Sequence, residues 1–239
     1  MKRKPTSIKP KKITDFKSVI YTQHQWHLLD NLRIITVGLM EKFYRHEIKP
    51  IVYGSIARGD VSESSDIDLF IPYQISSFNV ETILQQEGLR IYAKKIVQAT
   101  PKHVIKAHIY LDEQICITFP LTSLRDREFD FIHFGGSLSL EKLKDGIRVP
   151  GVNKMLILIE PTVDGHNESP VIGFESIVAN KVGVSVELVK ERVRVLTTRD
   201  RIGRTGVYLQ KELAIEESFE EIFKELIDKD PIVRRRAKM

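Results

Sequence analysis

The residues best suited to chemistry lie in one stretch, Ile51-Val-Tyr-Gly54-Ser55-Ile-Ala-Arg58-Gly59-Asp60-Val-Ser-Glu-Ser-Ser65-Asp66-Ile-Asp68-Leu-Phe-Ile71. Asp66 and Asp68 stand two positions apart inside an apolar run. In a strand, residues i and i+2 share a face, so the two carboxylates project side by side while Ile67, Leu69 and Ile71 point to the core. Adjacent carboxylates repel each other unless a cation lies between them. An oxygen-only pair suits Mg2+ (or Mn2+), which keeps waters and takes the rest of its shell from substrate phosphates. Gly54 lets the backbone approach a phosphate closely, and Ser55 at a helix start offers a hydroxyl beside unpaired N–H groups. The plainer alternative is a strand–turn–strand with solvated aspartates, but a polar pair within Ile-x-Leu-Phe-Ile then has no structural motive.

Gly54-Ser55, Arg58-Gly59 and Ser65-Asp66-Ile67-Asp68, in that order, resemble the signature of the DNA polymerase beta-type nucleotidyltransferase superfamily over roughly the first half of the chain. The resemblance implies an NTP substrate, a nucleotide-binding set of Gly54, Ser55, Arg58 and Ser65, and a metal on Asp66 and Asp68. It also implies a third carboxylate on a later strand, acting as base toward the attacking hydroxyl. The run Ile115-Cys-Ile-Thr-Phe-Pro120 has the shape of that strand but contains no acid, and Thr118 falls near the required place. Asp130, on the strand-like alternation Arg127-Glu-Phe-Asp-Phe131, is the first substitute and completes an expected catalytic set of Asp66, Asp68 and Asp130; Asp112 is the second.

Composition sets wide bounds. The chain has 239 residues, 42% hydrophobic and 29% charged, an ordinary globular mix sufficient for one large domain or two small ones. No run approaches the length of a membrane span, and no apolar segment follows the basic start Met1-Lys-Arg-Lys, so a cytoplasmic protein without membrane contact is expected. The single Cys116 excludes an internal disulfide and suits a reducing compartment. A formal net charge of +5 tilts the expectation toward an anionic partner.

The elements that must position these residues follow from periodicity and turn chemistry. Residues 1–14 read as a basic flexible arm. Gln23 to His46 carries apolar residues at helical spacing. Asn79 to Gln86 reads as a helix capped by Asn79, and 89–99, 103–111 and 115–121 read as strands joined in antiparallel hairpins. The fold class is α+β: a mixed, largely antiparallel sheet with helices on one side, spanning 15–140 as the catalytic domain. A connecting strand and loop, 141–170, follows. It gathers Glu160, Asp164, His166 and Glu168 after a strand end, either a second constellation or a polar loop turned by Asp-Gly. Arg148 and Lys154 beside it are suited to a triphosphate or an RNA end.

Residues 171–239 read as helix, Gly-Val-Ser turn, helix and a basic hairpin over 199–209, resembling a winged helix-turn-helix. Lys190, Arg192, Arg194, Arg199, Arg201 and Arg204 would face outward; from these Lys190, Arg194, Arg199, Arg201 and Arg204 are the expected nucleic-acid contacts. Residues 216–229 read as an amphipathic helix, and Arg234-Arg-Arg-Ala-Lys as a basic tail. The leading expectation is metal-dependent transfer of a nucleotide to a nucleic-acid acceptor, RNA favoured. The alternatives are a nucleotide-sensing DNA-binding regulator, and a transferase that modifies a protein partner.

Overall fold

The computed structural model describes residues 16–202 and 206–239, with the side chains of 199–202 excepted. The basic arm 1–14, residue Arg204 and the side chains of Arg199 and Arg201 lie outside the described residues.

In chain order the elements are β1 (Lys17–Ile20), α1 (Gln23–Tyr44), β2 (Ile51–Tyr53), α2 (Ser55–Arg58), β3 (Ile67–Phe70), α3 (Ser77–Gln86), β4 (Ala93–Gln98), β5 (Ile105–Tyr110) and β6 (Ile115–Pro120). Then come α4 (Asp126–Phe134), β7 (Ser137–Leu138), α5 (Leu140–Lys144), β8 (Gly151–Val152), β9 (Ile157–Thr162) and β10 (Gly165–Pro170). The chain ends with α6 (Glu175–Val182), α7 (Val186–Ile202), β11 (Leu209–Leu213), α8 (Phe219–Lys229) and α9 (Pro231–Ala237).

The larger sheet has the order β11-β4-β5-β6-β3-β2-β7. Its strands pair antiparallel except β3 with β6, which run parallel. It is the expected mixed sheet, and β4, β5 and β6 form the expected hairpins. Strict alternation in β4 and β5 sends every second side chain to one face. That face buries Val52, Leu69, Ile96, Ala107, Ile109 and Ile117. Against it pack Leu39, Met40 and Phe43 of α1, Val80 and Leu84 of α3, and Phe219 of α8. Thr22 starts α1 by accepting a hydrogen bond from Gln25 N.

The smaller sheet, β1-β10-β9-β8, is antiparallel throughout. A second apolar cluster lies under it. There Val152, Leu156 and Leu158 meet Phe134 of α4, Val178 of α6, and Leu188 and Val189 of α7.

Four local expectations change. First, α3 begins at Ser77, not at Asn79, because the cap comes from a distant part of the chain: Glu220 of α8 accepts from Ser77 N at 2.8 Å and Ser77 Oγ at 2.6 Å. Second, Arg127 to Phe131 is helix α4, not strand. Glu128 accepts from Arg125 N at 3.0 Å in the manner of a capping box, a signal that outweighs a short polar–apolar alternation. Third, the hairpin expected over 199–209 is not formed, since α7 continues to Ile202. The next described strand, β11, pairs with β4 at the edge of the large sheet, so among the described residues the helix–turn–helix of α6 and α7 has no wing. Fourth, the basic tail is helix α9, capped by Asp230 with Pro231 in its first turn. Its Arg236 is buried and pairs with Glu128 of α4 at 3.1 Å, donating also to Ser123 O at 2.6 Å.

Among the described residues no helix is long and apolar enough to cross a membrane.

Candidate active-site cleft

A cleft of about 450 Å³ opens between the large sheet and the region of the second apolar cluster. Its near wall is the stretch with which the sequence reading began. Gly54 adopts φ +89, a left-handed backbone that a side chain would strain, and its N–H donates to Gly136 O at 2.9 Å. Ser55 opens the one-turn helix α2, and its hydroxyl donates to Ser65 Oγ at 3.2 Å. Ser65 Oγ also accepts from Ser62 N at 2.9 Å, which folds the serine-rich loop back toward the corner. Asp66 leads into β3 and Asp68 lies on it; both line the cleft with Gly54 and Ser55.

Register decides what surrounds Asp68. Tyr53 faces it across the antiparallel β2–β3 pair, and Cys116 lies beside it across the parallel β3–β6 pair. Thr118, the expected place of a third acid, pairs with Phe70, further along the same face. His108 of β5 completes the group: its Nδ1 lies 2.9 Å from Thr118 Oγ1 and 3.7 Å from Cys116 Sγ. Cys116, Thr118 and His108 carry no acid and, unlike Tyr53, do not line the cleft. Burial, then Lys106 and Lys95, push the His108 imidazole down to about 4. Burial holds the Tyr53 phenol well above its usual value, with Asp68 adding to it. Burial likewise raises the Cys116 thiol to about 12. No side chain of β6 on this face bears a carboxylate, and among the described residues no group of three or more His, Cys, Asp or Glu is placed to hold a metal. Asp66 and Asp68, two carboxylates lining one cleft, are an oxygen donor set of the kind that would suit a small divalent cation.

Several expected site residues stand elsewhere. Asp130 is on α4 and does not line the cleft. Asp112 caps the β5–β6 turn, accepting from Gln114 N and Ile115 N at 2.7 Å each. Arg58 does line the cleft, but its guanidinium is 5% exposed and engaged: it donates to Gly135 O at 2.6 Å and to Asp60 Oδ2 at 3.0 Å. It ties α2 to the α4–β7 turn, so its partners are backbone and Asp60, where a phosphate was expected. Arg148 donates to the backbone oxygens of Thr162 and Gly165 and lies over the Trp26 ring at 4.8 Å, whereas Lys154 lines the cleft. The Glu160–Glu168 group is dispersed along the β9–β10 hairpin: Glu160 pairs with Lys181 at 2.7 Å, while buried His166 sits 2.7 Å from Tyr21 Oη and 3.5 Å from Glu168. Lys190 and Arg194 are exposed on α7 and do not line the cleft.

The far wall comes from three separated segments. Phe131, Phe134 and Gly135 are contributed by the end of α4. Lys154 and Met155 come from the β8–β9 turn, and Arg192 and Leu196 from α7. The sequence reading grouped Arg192 with its outward-facing neighbours. Its spacing of four from both Leu188 and Leu196 was the available sign that it turns inward.

A mixed sheet that carries an acid pair beside a glycine–serine corner is consistent with a nucleotidyltransferase fold. Residues 36–133 match the family model described as a nucleotidyltransferase domain, a model of the DNA polymerase beta-type nucleotidyltransferase superfamily. The domain supports a general nucleotidyl transfer activity. The matched span holds the near wall and ends within α4; Lys154, Met155, Arg192 and Leu196 lie beyond it. No curated protein and no solved structure matches the chain.

Proposed function

We propose that the chain transfers a nucleotide from a nucleoside triphosphate to a hydroxyl of an RNA acceptor, releasing pyrophosphate. The observation that carries this reading is that Asp66 and Asp68 line one cleft together with Gly54 and Ser55. Gly54 leaves room for the β- and γ-phosphates, and the Ser55 hydroxyl donates to one of their oxygens. Asp66 and Asp68 would hold a magnesium-type ion, which would offset charge on the triphosphate. The acceptor oxygen attacks the α-phosphorus in line with the bridging oxygen, whose bond breaks as pyrophosphate leaves. Arg58 and Asp60 act by holding the corner against Gly135 rather than by touching substrate. An RNA acceptor is favoured by the positive net charge and by the exposed Lys190 and Arg194. Incubation with α-labelled NTP, Mg2+ and RNA should give labelled RNA, and the Asp66→Asn/Asp68→Asn protein should give none. Label on a copurifying protein would redirect the acceptor class.

One observation favours a second reading, nucleotide binding without transfer. Cys116, Thr118 and His108 form a neutral group where the superfamily pattern implies a carboxylate for the hydroxyl proton. A Cys116→Asp protein separates the two. Transfer by the native chain supports the first reading; transfer appearing only in Cys116→Asp supports the second.

A further inference from the structure

The far wall of the cleft carries groups that phosphate chemistry at the near wall does not use. Helix α7 turns Arg192 and Leu196, one helical turn apart, into the cleft. The Arg192 guanidinium carbon lies 4.6 Å from the centroid of the Phe131 ring. Phe131 is 37% exposed, although its neighbours Ile132 and Phe134 are buried. Met155 and Leu196 extend the apolar surface beside it, within the same cleft as Asp66 and Asp68. A half-exposed aromatic ring with a guanidinium lying over it suits flat π-systems, because a base face can pack on the ring or on the guanidinium. The polar atoms nearby are largely committed: Gly135 O accepts from Arg58, and Asn153 Oδ1 accepts from Met155 N and Ile157 N. What this wall offers a ligand is therefore a face to stack on.

We infer that Phe131 and Arg192 form the seat of the nucleobase, with the triphosphate reaching from there to the near wall. This rests on the nucleotidyl-transfer reading and deepens it. The helix pair of α6 and α7, expected from sequence as a nucleic-acid reader, thereby supplies a wall of the donor-nucleotide site from outside the segment that matches the family.

The test compares two ligands of the intact protein by calorimetry, Mg2+-ATP and Mg2+-tripolyphosphate, which share phosphates but not the base. Phe131→Ala should weaken ATP roughly tenfold, the scale of losing one stacked base, and leave tripolyphosphate unchanged. Arg192→Lys keeps the charge and loses the plane, and should act in the same direction. Phe131→Trp should retain ATP affinity, and its added fluorescence should be quenched by ATP and not by tripolyphosphate. ATP affinity unaltered in Phe131→Ala, or both ligands weakened equally, would overturn the inference while the reading of the acid pair stood. Conversely, if Asp66→Asn/Asp68→Asn leaves Mg2+-dependent binding of both ligands intact, the acid-pair reading fails while the base seat remains.

Discussion

The two walls of the cleft are built in opposite ways. The near wall is one continuous piece of chain in which β2, a one-turn helix, a serine loop and β3 follow one another. Its acids are aimed by strand register, since Tyr53, Asp68 and Cys116 lie side by side on three paired strands. The far wall is a convergence of three segments, from α4, the β8–β9 turn and α7. Its side chains are aimed by packing around the second apolar cluster. A contiguous wall leaves a motif in the sequence; a convergent one leaves only scattered residues whose partners are set by the fold.

The largest effect that would break this contrast is at the near wall. Asp66→Asn/Asp68→Asn should lower nucleotidyl transfer by at least about a thousandfold, since several kcal/mol of charge stabilisation is removed. The fold should survive, because Asn keeps the shape of Asp and much of its hydrogen-bonding capacity. A measured loss of activity with unchanged circular dichroism would locate the chemistry there; retained activity would move it to another wall.

A second effect concerns the buried group beside Asp68. The His108 imidazole is held at about 4 in the folded chain against an ordinary 6.5. The unfolded chain therefore binds the extra proton first as pH falls. The stabilisation from neutral His108 is fully present above about 6.5 and is lost progressively as pH drops toward 4, up to roughly 3 kcal/mol. Denaturant titrations of His108→Phe between pH 7 and 4.5 should show a shallower decline than the native chain. An identical slope would mean that His108 is less shielded from water than its packing indicates.

Smaller still, Gly54→Ala places a side chain at φ +89 and should cost about 1–2 kcal/mol, a fall in melting temperature of a few degrees at this chain length. It should also weaken Mg2+-ATP binding, which separates a strained corner from a merely destabilised domain. The smallest effect is expected at the exposed face of α7. Lys190→Ala/Arg194→Ala should reduce the slope of log K for RNA against log salt by about 1.4, the value for two single-strand phosphate contacts, with ATP binding unchanged.

The same contrast explains what could be read in advance. The acid pair, the glycine–serine corner and the three-stranded meander of β4, β5 and β6 follow from side-chain period and turn residues, which act over a few positions. The contact of Arg58 with Gly135 O is not legible because its partner is distant: nothing near it in sequence announces Gly135 O. Asp130 was misplaced because the segment Arg127–Phe131 satisfies both a period of two and a helix start, and the Glu128 cap decides between them. Arg192 and Phe131 each carry a legible type, cationic and aromatic, but their meeting depends on where α7 crosses α4. The wing failed for a similar reason. The strand after α7 finds its partner at the edge of β4, far back in the chain.

The buried Arg236 has a reach beyond its own helix. It grips Glu128, whose carboxylate also receives the N–H groups of Arg125 at the start of α4 and of Val104 just before β5. The last turn of the chain thus anchors, from behind, the helix whose opposite end presents Phe131. Trimming the terminus would loosen that anchorage and let the aromatic ring drift, so ligand affinity should respond to a cut made where no ligand ever sits.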